Sequence, residues 1–189
     1  MKKHRMHLME LSVDRHWTLF LDRDGVINER LPGDYVKRPE EFVFLPGVPV
    51  AIARLSGIFD RIIIVTNQQG IGKGVMGSGD LEIVHDLMID GIIKAGGRID
   101  KIYFSPHLEE EDNPMRKPNT GMALQAQKDF PEIDFKRSVM VGDSLHDMEF
   151  GRRLGMKCIF ISLEPSAGSP MIDHCFTSLK GFADALINV

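Results

Sequence analysis

Short runs of apolar residues alternate along the chain with stretches whose apolar positions recur every three or four residues. The runs are TLFLD (18–22), RIIIVTN (61–67), KIYFSP (101–106), SVMVGD (138–143) and KCIFIS (157–162), with HCFTS (174–178) a candidate sixth. Their length and β-branched content predict strands. The periodic stretches predict helices at Pro49 to Ser56, Asp80 to Lys94, Asn119 to Asp129, Asp147 to Leu154 and Lys180 to Ile187. Strands that are apolar throughout, rather than every second residue, are covered on both faces, and the intervening helices supply the cover. Right-handed crossovers then give an α/β fold with a doubly wound, Rossmann-like parallel sheet.

Composition narrows the picture further. The 189 residues, 43% hydrophobic and 26% charged, suit one core and one domain, with the polar residues 1–15 as an N-terminal extension. The net charge is -4 and the cations are scattered, so no nucleic-acid partner is expected. No apolar run approaches the roughly 20 residues of a membrane span, and the start is too polar for a secretion signal, which predicts a cytoplasmic protein without membrane contact. Cys158 and Cys175 lie in predicted strands without disulfide or metal-knuckle spacing, and read as buried, reduced thiols.

In doubly wound sheets the chemistry gathers beyond the carboxyl ends of the strands. Here Asp22 and Asp24 follow the first run, Thr66 and Asn67 end the second, His107 follows the third, and Gly142 with Asp143 end the fourth. Any one of these alone is a turn residue. Two carboxylates two residues apart at a buried strand end repel each other and call for a hard cation, which favours Mg²⁺. With the cation present Asp22 can attack phosphorus, while Asp24 protonates the leaving oxygen and later deprotonates water. The Thr66 hydroxyl can grip phosphate oxygens, the Lys117 ammonium can bridge nucleophile and phosphate, and Arg116 offers a bidentate fork. Pro118 marks the start of a helix or immediately precedes one. Asp143 supplies a metal-ligand carboxylate, and Asp147, four residues on, is either a second functional acid or a helix cap.

The ordered set Asp22-x-Asp24, Thr66, Lys117 and Gly142-Asp143-x-x-x-Asp147 resembles the haloacid dehalogenase (HAD) superfamily of phosphohydrolases. The strings FLDRDGVIN, VTNQQGIGKG and RKPNTGM resemble the subgroup that holds heptose bisphosphate phosphatases and histidinol-phosphatases, the former more closely. The resemblance implies Asp22 as nucleophile, Asp24 as proton donor, and Thr66 and Lys117 as phosphate stabilisers. Mg²⁺ would be held by Asp22, the main-chain carbonyl of Asp24, and Asp143. Substrate contacts are expected from Arg23, Asn28, Arg30, Tyr35, Asn67, Gln68, Gln69, Lys73 and Arg116, the loop from Asn28 to Tyr35 meeting the sugar. The implied partner is a small phosphorylated sugar, a heptose 1,7-bisphosphate ahead of histidinol phosphate, and the implied state is a monomer.

Many members of that subgroup carry a zinc loop, Cys-x-His then Cys-x-Cys, before Arg-Lys-Pro. Here those places read Ser105-Pro106-His107 and Asn113-Pro114-Met115. A lone imidazole cannot close a tetrahedral site, so no structural zinc is expected and His107 is expected to bond locally. Only about 40 residues separate the Asp pair from Thr66, and a helix and a strand take up most of them, which predicts an open site without a large cap domain. Gly72-Lys73-Gly74-Val75-Met76-Gly77 fits a dinucleotide-binding fingerprint, but it does not follow the first strand, where that motif belongs. Gly72 to Gly79 is read instead as a flexible loop before a helix capped by Asp80. The remaining alternative is a protein that binds a phospho-ligand without turnover.

Overall fold

The computed structural model describes residues 13–164 and 169–187, so residues 1–12 of the expected N-terminal extension lie outside the described residues. Six strands form one sheet: β1 (Thr18–Leu21), β2 (Arg61–Asn67), β3 (Lys101–Ser105), β4 (Ser138–Gly142), β5 (Lys157–Ile161) and β6 (His174–Phe176). Their order is β3-β2-β1-β4-β5-β6 and every pairing is parallel. The α/β architecture expected from the alternation is therefore the one observed, and the candidate sixth run is an edge strand.

Among the described residues five α-helices cover the sheet: α1 (Val48–Leu55), α2 (Ser78–Lys94), α3 (Gly121–Asp129), α4 (Leu145–Arg153) and α5 (Leu179–Ile187). Because strand side chains alternate between faces, each strand feeds two cores. On one face Leu19, Leu21, Ile62, Ile64, Val139 and Val141 pack with Ile52, Leu55, Met88, Ile92 and Phe182 from α1, α2 and α5. On the other, Phe20, Ile63, Val65 and Met140 pack with Met122, Ala126, Met148 and Phe150 from α3 and α4. Each fully buried Leu, Ile, Phe or Met contributes about 1.5–3 kcal/mol by leaving water. Among the described residues no helix is long and apolar enough to cross a membrane.

Three expectations change. The helix and strand between the Asp pair and Thr66 are short, 8 and 7 residues, so residues 23–47 form a longer rim loop than the spacing suggested. Gly70 to Gly77 is not slack chain: Lys73 N–H donates to Gln69 O at 2.9 Å, Val75 N–H to Gly70 O at 3.0 Å, and Gly72 N–H to Pro106 O at 3.1 Å. Its Asp80 side chain does accept from Gly77 N–H at 2.7 Å, capping α2 as expected, although that helix begins at Ser78. Cys158 is buried, and burial pushes its thiol up to about 12, but Cys175 on the edge strand is only half-buried; both are free.

Candidate active site

The carboxyl ends of β1, β2 and β4, together with the loops that follow β1, β2 and β3, frame a cleft of about 470 Å³. Asp22 directly follows β1, its N–H held by Val141 O at 2.9 Å across to β4. Only 6% of it is exposed. Lys117 Nζ lies 2.8 Å from Asp22 Oδ1 and 2.5 Å from Asp147 Oδ1, itself only 2% exposed. Two buried acids thus share one ammonium. Burial lifts the Asp22 carboxyl to about 6; the Lys117 charge opposes that shift and the nearby Asp147 charge adds to it. Burial also works against the charged form of Lys117, but the two carboxylates outweigh it and raise its proton affinity.

Asp147 turns out to be both things its spacing allowed. It occupies the third position of α4, where Oδ2 accepts from Ser144 N–H at 3.1 Å while Ser144 Oγ accepts from Asp147 N–H at 3.3 Å, a reciprocal cap. Its other oxygen holds Lys117. Gly142 leaves room for this: a Cβ there would stand 2.2 Å from Asp147 Cβ. The Lys117 main chain is clamped in turn by the Asn67 amide, which accepts from Lys117 N–H and donates to Lys117 O, both at 3.0 Å. Pro118 follows through a cis peptide and sits in a turn ahead of α3, which begins only at Gly121.

Asp24 has a different environment. Its carboxylate accepts from Arg23 Nη2 at 2.9 Å to each oxygen, from Asn28 Nδ2 at 2.9 Å and from Gln68 Nε2 at 2.8 Å. Burial disfavours its charge, but the Arg23 charge and these hydrogen bonds win and hold the carboxyl below the usual range. Gln68 also donates to Thr66 Oγ1 at 2.9 Å, tying the acid to the threonine. Arg23, Asn28 and Gln68, expected as substrate contacts, are 0–1% exposed and stand behind Asp24 rather than along the cleft. The reason for Arg23 is strand alternation at the end of β1, which turns it away from the side that Asp22 and Asp24 share.

The other expected contacts, Arg30, Tyr35, Asn67, Gln69, Lys73 and Arg116, do line the cleft, as do Asp22, Asp24, Thr66 and Lys117. Lys73 lies over the Tyr35 ring at 5.5 Å, and Arg116 donates to His107 O at 3.1 Å. His107 pairs locally with Glu111 Oε2 at 2.8 Å, as anticipated. Asp34, inside the expected Asn28 to Tyr35 loop, also lines the cleft, as do Ser144 and His146, which were not singled out. Ser144 and His146 lie inside the Asp143-x-x-x-Asp147 segment, so the spacing of that motif was the available signal. His85, in contact with Arg23, had none, because it sits mid-helix in α2.

Asp22, Asp143 and Asp147 each bring an oxygen within 4.8 Å of the others, as a metal site requires. Since both oxygens of Asp147 are engaged by Lys117 and Ser144, the remaining candidate donors are Asp22, Asp143 and the Asp24 carbonyl. The Arg30 guanidinium spans two of these, 2.7 Å from Asp143 Oδ1 and 3.3 Å from Asp24 O, so one cationic group can satisfy both. Burial, and then the Asp22 charge, push the Asp143 carboxyl up to about 7. Gly25, at φ 88°, packs under it: a Cβ would fall 1.9 Å from Asp143 Oδ2. A hard divalent cation fits this all-oxygen set.

Comparison with known proteins gives concordant results. Residues 114–164 match the HAD-hydrolase-like family model. The chain is 35% identical over 173 residues, 90% of this chain and 91% of the relative, to a D-glycero-alpha-D-manno-heptose-1,7-bisphosphate 7-phosphatase of Mycobacterium bovis. It is 36% identical over 155 residues, 78% and 84% of the two chains, to a D-glycero-beta-D-manno-heptose-1,7-bisphosphate 7-phosphatase of Rhodopseudomonas palustris. In fold it is similar to the crystal structure of D,D-heptose 1,7-bisphosphate phosphatase from B. bronchiseptica complexed with magnesium and phosphate, with TM-score 0.80, 28% identity, and coverage of 91% of this chain and 98% of that one.

Proposed function

Since this chain belongs to the HAD family of phosphatases, in company with the heptose-bisphosphate phosphatases, we propose that it removes the 7-phosphate of a D-glycero-D-manno-heptose 1,7-bisphosphate by way of an aspartyl-phosphate on Asp22. The observation that carries this reading is the buried Asp22–Lys117–Asp147 triad opening onto the cleft. A carboxylate nucleophile must approach a phosphate dianion, and Lys117, fixed on Asp22 Oδ1, lowers that repulsion without consuming the second oxygen. Thr66 and Lys117 border the position that the transferring phosphoryl group takes. Asp22, Asp143 and the Asp24 carbonyl would hold Mg²⁺, which would supply charge neutralisation at the phosphate.

Asp24 carries the proton transfers. Its carboxylate state, as held by Arg23, Asn28 and Gln68, is the state that deprotonates the water attacking the acyl phosphate. To protonate the leaving oxygen it must first take up a proton, and the approaching phosphate anion favours this by raising its proton affinity. Arg30, Lys73 and Arg116 ring the cleft and suit a substrate with a second anionic group, and the cleft volume is in the range for a molecule of that size.

The deciding measurement is kcat/KM with Mg²⁺ for both anomers of heptose 1,7-bisphosphate against histidinol phosphate. A bisphosphate preference of at least about tenfold is expected, because loss of a well-bound anionic contact costs on the order of 1.5–3 kcal/mol. A preference for histidinol phosphate would overturn the substrate assignment. No phosphate release from any of a wide panel of phosphoesters would return the protein to the non-catalytic binding class.

A further inference from the structure

Behind Asp24, on the side away from the cleft, lies a buried polar cluster that this chemistry leaves unexplained. Arg23 is 0% exposed, and one edge of its guanidinium grips Asp24 through Nε at 3.3 Å and Nη2 at 2.9 Å. On its other edge Nη1 lies 3.3 Å from His85 Nε2. A guanidinium only donates, so Nε2 must be the acceptor and the ring proton sits on Nδ1. Burial, followed by the Arg23 charge, holds the imidazole down at about 4, which keeps it the neutral acceptor this geometry needs. His85 is 8% exposed, and its ring meets Phe104 of the edge strand β3 edge-on, centroids 6.4 Å apart.

We propose that His85 is a positioning residue for phosphate hydrolysis: it anchors the outer edge of Arg23, so that the inner edge keeps the Asp24 carboxylate aimed at the leaving oxygen. The inference rests on the proposed function, which gives Asp24 its proton transfers. Without the acceptor, Nη1 is left buried and unpaired, at the cost of a lost hydrogen bond to a charged donor. Arg23 can relieve that cost only by rotating, and because it grips both Asp24 oxygens the carboxylate turns with it. Neither His85 nor Arg23 lines the cleft, so the penalty falls on proton transfer rather than on binding of the phosphate.

The leaving group separates this from a merely structural role. A sugar alkoxide needs a proton to depart, whereas p-nitrophenolate leaves as a stable anion. For His85→Leu, kcat/KM on heptose 1,7-bisphosphate is expected to fall roughly 10- to 100-fold, and on p-nitrophenyl phosphate by less than about threefold. His85→Gln, whose carbonyl restores an acceptor, should recover the sugar bisphosphate to within about threefold of wild type. Equal losses on both compounds, no loss on either, or no recovery in His85→Gln would overturn the proposal. Should His85→Leu not fold, His85→Asn, polar but too short to reach Arg23, takes its place with the same outcomes. A wild-type protein inactive on both compounds would instead sink the phosphatase reading, and this inference with it.

Discussion

Asp22, Lys117 and Asp147 occupy a space nearly closed to water, and two of the three carry the same sign. Removing the single ammonium leaves two carboxylates buried and uncompensated, so Lys117→Met should lose about 3 kcal/mol or more in urea unfolding at neutral pH. Asp22→Asn leaves a balanced Lys117–Asp147 pair and should unfold at or above the wild-type midpoint. Its phosphate release should nonetheless drop by at least about ten-thousand-fold; a residual rate within about tenfold of wild type would contradict covalent catalysis by Asp22. The raised carboxyls of Asp22 and Asp143, about 6 and about 7 against an ordinary 3.8, make a further prediction. Between these values the metal-free folded chain holds protons that the unfolded chain has released, so its stability falls as pH rises from about 4 to about 7. The Mg²⁺ proposed above would have to displace the same protons, so its affinity should climb from about pH 5.5 to about 7.5 with measurable proton release in calorimetry. A pH-independent affinity would rule this out. At this scale the sequence disclosed which residues gather at the strand ends better than which way they point: Asp22, Thr66 and Lys117 line the cleft as strand ends and motif order implied, while Arg23, expected as a substrate contact, is turned inward by the alternation at the end of β1.

The loop from Pro106 to Lys117 has no cysteines and is fastened by amides. The Asn119 side chain donates to Asp112 Oδ1 at 2.8 Å and to Asn113 O at 3.1 Å, and its oxygen accepts from Arg153 of α4 at 2.8 Å. Arg116 N–H then rests on Asn113 O at 2.9 Å. Asn119→Ala should therefore raise KM several-fold with a smaller change in kcat, and cost about 1–2 kcal/mol of stability. One tightly bound zinc per chain in metal analysis would show that the loop is organised otherwise. These bonds also explain where the sequence misplaced an element. Asn119 reads as the start of a helix, but its side chain is spent on the preceding loop and α3 waits until Gly121. Strands were easier to find, since parallel strands buried on both faces are unbroken apolar runs; β2 matches its run residue for residue. The length and course of the 23–47 rim were not legible, although Arg30 and Tyr35 within it were expected at the cleft, because its order comes from hydrogen bonds between distant parts of the loop such as Glu29 N–H to Val43 O at 2.9 Å, which leave no periodic trace.

Over the whole molecule, the two cores back different parts of the site. α3 and α4, which lie beside Lys117 and Asp147, rest on the face that holds Phe20, Met140 and Phe150. Phe150→Ala should cost about 3–5 kcal/mol by opening a cavity there, read as a lowered denaturant midpoint, while the fraction that stays folded keeps its KM. A changed KM would mean that the cavity reaches the cleft. The central place of β1 has a further consequence, for the order in which the chain becomes itself. One edge of β1 pairs with β2, close by in sequence, and the other with β4, more than a hundred residues further along. During synthesis the first edge can close early, but the second stays open until β4 has emerged, and Asp147 comes later still. A stalled or C-terminally clipped product would thus not be a weak enzyme; it would be a largely apolar strand with a bare edge, open to pairing with another chain. Catalytic competence and safety from aggregation arrive together, when the last third of the chain closes that edge.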